Sequence, residues 1–221
     1  MRRFLGILLC FCLICPVTAR AEGKYVALTF DDGPSGRFTR TLLDGLEKRN
    51  VKATFLLCGY RLEVYPKEAK RIHAEGHEIG LHGFSHRSMA DMDQEELERE
   101  IADTLALLPE GCRPAFLRPP GGKSSPIVKD AARQADLGVL LWSVDPRDWA
   151  SHDAQVIEEA VVESVRDGDV ILLHDMSDSS VEAALAIVDE LKEQGFTFVT
   201  ATELARLKGV TIEPGKVYLG F

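Results

Sequence analysis

The chain has 221 residues, 45% of them hydrophobic and 28% charged, with 18 Gly and 10 Pro. That apolar share excludes wholesale disorder, and the length holds one domain or at most a tightly built pair. A formal charge of -9 repels phosphate, which excludes generic binding of nucleic acid.

Met1 to Ala21 has the layout of a secretory signal peptide. Arg2 and Arg3 give a basic start, Phe4 to Val17 an apolar run, and Ala19-Arg20-Ala21 an A-x-A cleavage site. The run is short of the roughly 20 apolar residues of a spanning helix, so it reads as a removed leader rather than an uncleaved anchor. Residues 22–221 are then expected to form a single exported domain, secreted or held in the cell envelope. No stable membrane span is expected after cleavage, and the protein is taken as a monomer. Cys58 and Cys112 remain, either as a disulfide or as two buried thiols.

The rest alternates short β-like runs with amphipathic stretches. Tyr25–Phe30 is a β-branched and aromatic run, followed by Arg37–Arg49 with Phe38, Leu42, Leu43 and Leu46 at helical spacing. Ala53–Cys58 is a second run, and a helix begins near Tyr65-Pro66. His77–Leu81 is a third, after which Asp93 caps a helix carrying Leu97, Ile101, Leu105 and Leu108 on one stripe. Ala115–Leu117 precedes a helix from Pro126, and Gly138–Val144 precedes a helix over Asp153–Arg166. Asp169–Leu173 leads into Val181–Glu193, and Phe196–Val199 into a last helix capped by Thr202. Strands alternating with helices predict a parallel sheet covered on both sides. Two architectures fit, an open doubly wound sheet or a closed barrel.

Five of the runs end in ionisable residues. Asp31-Asp32-Gly33-Pro34 follows the first, His82 and His86 the third, and Arg118-Pro-Pro-Gly-Gly the fourth. Asp145, Asp148 and Trp149 follow the fifth, and His174-Asp175 the sixth. In a parallel βα fold these strand ends share one edge, where active sites lie. His82 and His86 are four apart, a spacing that brings two imidazoles to one metal. His73 and His77 have the same spacing, but His77 opens its strand and belongs to the opposite edge, so that pair is expected on the surface or in packing. Adjacent carboxylates repel unless something neutralises them, and a divalent metal does so. One Asp and two His form a three-ligand set of the catalytic rather than the structural zinc type. The spare Asp is then placed to take a proton. His174 suits a general acid, which cleavage of an amide requires because an amine anion leaves poorly. Arg118 would hold a carboxylate ionised, and Trp149 would wall a pocket or join the core.

These five motifs, in this order, resemble those of the polysaccharide deacetylase family (carbohydrate esterase family 4) over roughly Tyr25 to Leu207. The resemblance implies a distorted (β/α) barrel of about seven parallel strands, similar to a TIM barrel. It implies Asp31 as catalytic base and Asp32, His82 and His86 as ligands of a divalent metal, zinc first. Arg118 would pair with the base and the Gly121 amide would face the oxyanion. Asp148 would tune the acid, His174, while Trp149 lines the pocket and Leu172 holds the acetyl methyl. The implied partner is an N-acetylated polysaccharide, peptidoglycan before chitin oligomers, with xylan esters or small amides as alternatives and a non-catalytic carbohydrate-binding relative as the last reading. One departure stands out: many members carry Tyr where this chain has Gly121, which changes one wall of the cleft.

Overall fold

The computed structural model describes residues 23–221, and the signal peptide expected at residues 1–21 lies outside them. Strands β1 (Lys24–Asp31), β2 (Thr54–Leu57), β3 (Glu78–Leu81), β4 (Phe116–Leu117), β5 (Gly138–Leu140), β6 (Val170–His174), β7 (Phe196–Val199) and β8 (Val217–Tyr218) form one sheet. Every pair among them is parallel, in the order β6-β1-β2-β3-β4-β5-β8. β7 pairs with the start of β1. Ala27 is in register with both Val170 of β6 and Val199 of β7, so those strands flank β1 on opposite edges. Just past β5, Val144 bridges to Ile171 of β6 and draws the curl toward closure. The fold is an α/β distorted barrel. The seven expected strands all form, with short β8 added.

Among the described residues eight α-helices cover the sheet: α1 (Arg37–Lys48), α2 (Gly59–Val64), α3 (Pro66–Ala74), α4 (Gln94–Ala106), α5 (Pro126–Gln134), α6 (Ala154–Ser164), α7 (Asp178–Glu193) and α8 (Ala201–Leu207). Strand alternation sorts β1 into two faces. Val26, Leu28 and Phe30 join the apolar layer under the helices, with Leu42, Leu43 and Leu46 of α1 and Ile187, Val188 and Leu191 of α7. Each such fully buried side chain stabilises the fold by about 2 kcal/mol. On the other face, Thr29 and Asp31 are buried polar groups. They meet Arg118, which is wholly buried.

Three expected boundaries move. β5 stops at Leu140 rather than Val144, because the carbonyls of Leu140 and Leu141 accept from the Arg118 guanidinium at 2.9 and 2.7 Å. The last helix is capped by Thr200, whose hydroxyl accepts from the Glu203 amide. Thr202 lies inside that helix and donates to Glu78 instead. α7 begins at Asp178, three residues before Val181, with Ser177 as its cap. Cys58 and Cys112 are free thiols, the first buried and the second half-buried. Burial pushes the thiol pKa of both upward. Among the described residues no helix is long and apolar enough to cross a membrane.

Candidate active site

Parallel register places the polar strand ends together. Asp31 lies opposite His174 across the β1–β6 pairing. The His82 amide donates to the Leu57 carbonyl at the end of β2, and the Arg118 amide to the Leu81 carbonyl at the end of β3. The resulting cavity holds about 470 Å³. Asp31, Asp32, His82, His86, Gly121, Trp149, Leu172 and His174 all line it. The other two predicted site residues, Arg118 and Asp148, lie directly behind Asp31 and His174. Eight of the ten predicted residues therefore line one cleft, and the other two brace it from behind.

Behind Asp31, the guanidinium of Arg118 donates to Asp31 Oδ1 at 2.7 Å and to Thr29 Oγ1 at 2.9 Å. With its bonds to the carbonyls of Leu140, the last residue of β5, and of Leu141 just past it, this cation is held by β1 and the end of β5 while its own backbone continues β4. A fixed buried cation next to a buried carboxylate holds that carboxylate in one orientation.

Asp32, His82 and His86 form a second constellation, their ligand atoms all within 4.8 Å of one another. Asp32 Oδ1 lies 3.2 Å from His82 Nε2 and 2.9 Å from His86 Nε2. His82 Nδ1 is 2.8 Å from the Arg118 carbonyl, an acceptor, so that nitrogen carries the ring proton. Nε2 is then the nitrogen turned toward Asp32. Asp32 Oδ1 is itself buried and makes no hydrogen bond of acceptable geometry. A buried carboxylate oxygen facing two imidazole Nε2 atoms needs positive charge beside it, and the donor set of one carboxylate and two imidazoles fits a divalent metal ion. Burial would raise the Asp32 carboxyl pKa, but the two imidazoles outweigh it and hold the group well below the carboxylate range. Asp32 and His86 both have positive φ, at 69° and 60°. Such backbone in non-glycine residues is uncommon and clusters at functional sites.

His174 closes the other side. Asp148, buried, takes the His174 amide on Oδ2 and His174 Nδ1 on Oδ1, both at 2.8 Å. Burial lowers the imidazole pKa, yet the bond and charge of Asp148 outweigh it and raise the group to about 9. His174 is therefore an imidazolium at neutral pH, with Nε2 left for the cleft.

The roles of three contributors were not legible in the sequence. Trp142 lines the cavity from just beyond β5, packed so close to Gly122 that a Cβ there would meet its ring at 2.8 Å. Gly121, by contrast, has open space where a side chain would project, and its φ of 67° suits glycine. Glu100 of α4 accepts from the amides of Phe84 and Ser85 at 2.6 and 2.9 Å and from Ser85 Oγ, holding the turn between His82 and His86. Fully buried Asp175 accepts from Thr39 Oγ1 and packs against Gly33, tying the Asp31-Asp32 turn to the end of β6. The only signal for Glu100 is an acidic residue on the cleft-side stripe of α4, whose partners lie elsewhere in the chain. His77 lies at the other strand edge, buried, its Nδ1 accepting from the Ala53 amide at 3.1 Å, so it serves packing as expected.

A profile described as polysaccharide deacetylase matches residues 18–140. The peptidoglycan-N-acetylglucosamine deacetylase of Bacillus cereus is 40% identical over 84% of this chain and 90% of its own length. The chain belongs to the polysaccharide deacetylase family. This deacetylase is also 37% identical, over 86% of its length, to the peptidoglycan-N-acetylmuramic acid deacetylase PdaC of Bacillus subtilis, of which it spans 41%. A family 4 acetyl xylan esterase from Clostridium thermocellum, solved with a cobalt ion, superposes with a TM-score of 0.83 at 40% identity, covering 89% of this chain and 98% of that one.

Proposed function

We propose that this deacetylase hydrolyses N-acetyl groups of N-acetylglucosamine-type polysaccharide, with peptidoglycan first and chitin oligomers second. The observation that carries this reading is one cavity with an arginine-held carboxylate, a convergent Asp-His-His set and an aspartate-held imidazolium. Asp32, His82 and His86 would hold a divalent ion, zinc first. When bound, such an ion supplies Lewis acidity toward the acetyl carbonyl and lowers the pKa of water.

The protein groups divide the remaining work. Asp31, oriented by Arg118, accepts the proton of the attacking water. The water oxygen forms a bond to the acetyl carbon, with charge developing on the carbonyl oxygen. The Gly121 amide is assigned to that oxygen, since a preorganised backbone donor stabilises charge as it appears. The carbon–nitrogen bond then breaks, and His174, set by Asp148, delivers its proton to the departing nitrogen. Acetate and a free amino sugar result. Leu172 receives the acetyl methyl, and Trp149, 57% exposed, offers a face to a sugar ring. The same reading takes residues 1–21 as the leader and 22–221 as one catalytic domain, acting outside the cytoplasm as a monomer.

Mass spectrometry of purified glycan strands before and after treatment tests this. Loss of one acetyl on glucosamine or muramic acid is expected. Asp31→Asn should lower the rate at least about 10²-fold, as expected for removing a general base. An unaltered strand mass under zinc-loaded conditions contradicts the proposal. Likeness to an acetyl xylan esterase favours a second reading, O-deacetylation of xylan. An alkoxide leaves more easily than an amine anion, so His174→Ala should then cost far less on acetylated xylan than on wall glycan.

A further inference from the structure

Asp175 stands one residue past His174, wholly buried, and no step of the proposed chemistry uses it. Its Oδ1 is shut off from solvent and makes no hydrogen bond to a described residue. A buried carboxyl oxygen left unbonded weakens a fold, so stability alone does not account for an acid at this place. Groups of that kind gather where function holds them. What surrounds Asp175 is the turn that carries Asp31 and Asp32.

Asp175 grips that turn through both its side chain and its backbone. Oδ2 accepts from Thr39 Oγ1 of α1, and the Thr39 hydroxyl accepts in turn from the Ser35 amide at 2.7 Å. The Asp175 carbonyl accepts from Ser35 Oγ. Oδ1 lies 2.7 Å from where a Cβ on Gly33 would stand, so the carboxyl is a floor beneath the residue after Asp32. The turn is also held from β2 and α2. The Gly33 carbonyl accepts from the Cys58 amide at 3.1 Å, and Arg61 Nε donates to the Asp32 carbonyl at 3.4 Å. This support matters because Asp32 has a φ of 69°, which costs energy in any residue with a Cβ and persists only where neighbours impose it. A relaxed turn would carry Asp32 Oδ1 away from the imidazole nitrogens that it faces at 3.2 and 2.9 Å.

We propose that Asp175 is a positioning residue for the reaction: it holds the Asp31-Asp32-Gly33 turn so that the Asp32 carboxylate faces His82 and His86, and thereby sets the affinity and coordination of the bound ion. The inference rests on the proposed metal role of those three residues.

The test compares wild type with Asp175→Ala, Asp175→Asn, Gly33→Ala and the double variant Gly33→Ala/Asp175→Ala. Chelator competition gives zinc affinity, and the visible absorption of the cobalt-loaded proteins reports coordination geometry. Asp175→Ala removes the floor and the Thr39 bond, and should weaken zinc binding about tenfold, the scale of losing an outer support. Asp175→Asn keeps the volume and an acceptor for Thr39, so it should restore most of that loss. The cobalt bands should shift in Asp175→Ala and return in Asp175→Asn. Gly33→Ala drives a methyl group into Oδ1 and should also weaken zinc binding; it probes the same contact should Asp175→Ala not fold. In the double variant that clash is gone, so the two losses should not multiply. A merely structural Asp175 would lower the thermal midpoint on substitution by Ala and leave zinc affinity and the cobalt bands as in wild type. That result, or losses that multiply in the double variant, overturns the proposal. If wild type binds neither ion, the metal reading fails instead, and crystal structures of metal-free wild type and Asp175→Ala then judge the positioning. A displaced Asp32 carboxylate supports it, and an unmoved one overturns it.

Discussion

Arg118 is the residue on which the site depends most visibly. Its guanidinium sits inside the barrel and bonds a carboxylate, a hydroxyl and two carbonyls. The sequence showed it only as an arginine in a Pro/Gly turn; that it pairs with Asp31 came from family resemblance, because the two are 87 positions apart. His174 was legible as a candidate acid from its place after an apolar run, but not the origin of its high pKa, which comes from Asp148 26 positions away. An acid that must be protonated loses activity as pH rises through its pKa, here about 9. Asp148→Asn removes the charge that raises it and leaves the burial that lowers it. The alkaline limb of kcat/KM should therefore move down by a pH unit or more. An unmoved limb in a rate profile between pH 6 and pH 10 would show that Asp148 does not set the acid.

Among the elements, the strand ends were readable because apolar runs stop abruptly at charged residues. α2 and β8 were not, since six and two residues are too few to display a period. The rival threonines 200 and 202 differ only in their partners, Glu203 and Glu78, and no local pattern ranks them. Helix α4 was predicted with its apolar stripe, yet its Glu100 reaches back to the turn between the two imidazoles. Outer groups of this kind typically change metal affinity 10- to 100-fold. Glu100→Gln should weaken zinc binding by about 10-fold in a chelator competition while leaving the thermal midpoint of metal-free protein nearly unchanged; equal zinc affinity would assign Glu100 to solvation only.

At the opposite edge, burial, with Lys52 and Arg71 adding, lowers the His77 pKa to about 4. The unfolded chain then binds the extra proton first, between about pH 6.5 and pH 4, so stability falls as pH falls through that window. The full effect is on the order of 3 kcal/mol. Urea unfolding across that window should show a shallower slope in His77→Gln than in wild type. Parallel slopes would mean that His77 is not the titrating group.

For the molecule as a whole, the chemistry rests on convergence. Residues from 31 to 174 reach one cavity because a parallel sheet curls and puts every strand end on the same rim. That much follows from βα alternation alone. The sequence did not show whether the curl closes, because closure depends on Arg118 ending β5 early and on the Val144–Ile171 bridge. Nor did it show Trp142, hidden inside an apolar run whose end the structure moved. The account's central claim is that Asp32, His82 and His86 share one ion. Anomalous X-ray diffraction at the zinc absorption edge, on crystals grown with zinc, tests this most directly. The account predicts one strong peak bound by the Asp32 carboxylate and both Nε2 atoms. A peak elsewhere, or none at that position in crystals of protein that releases acetate, would contradict it.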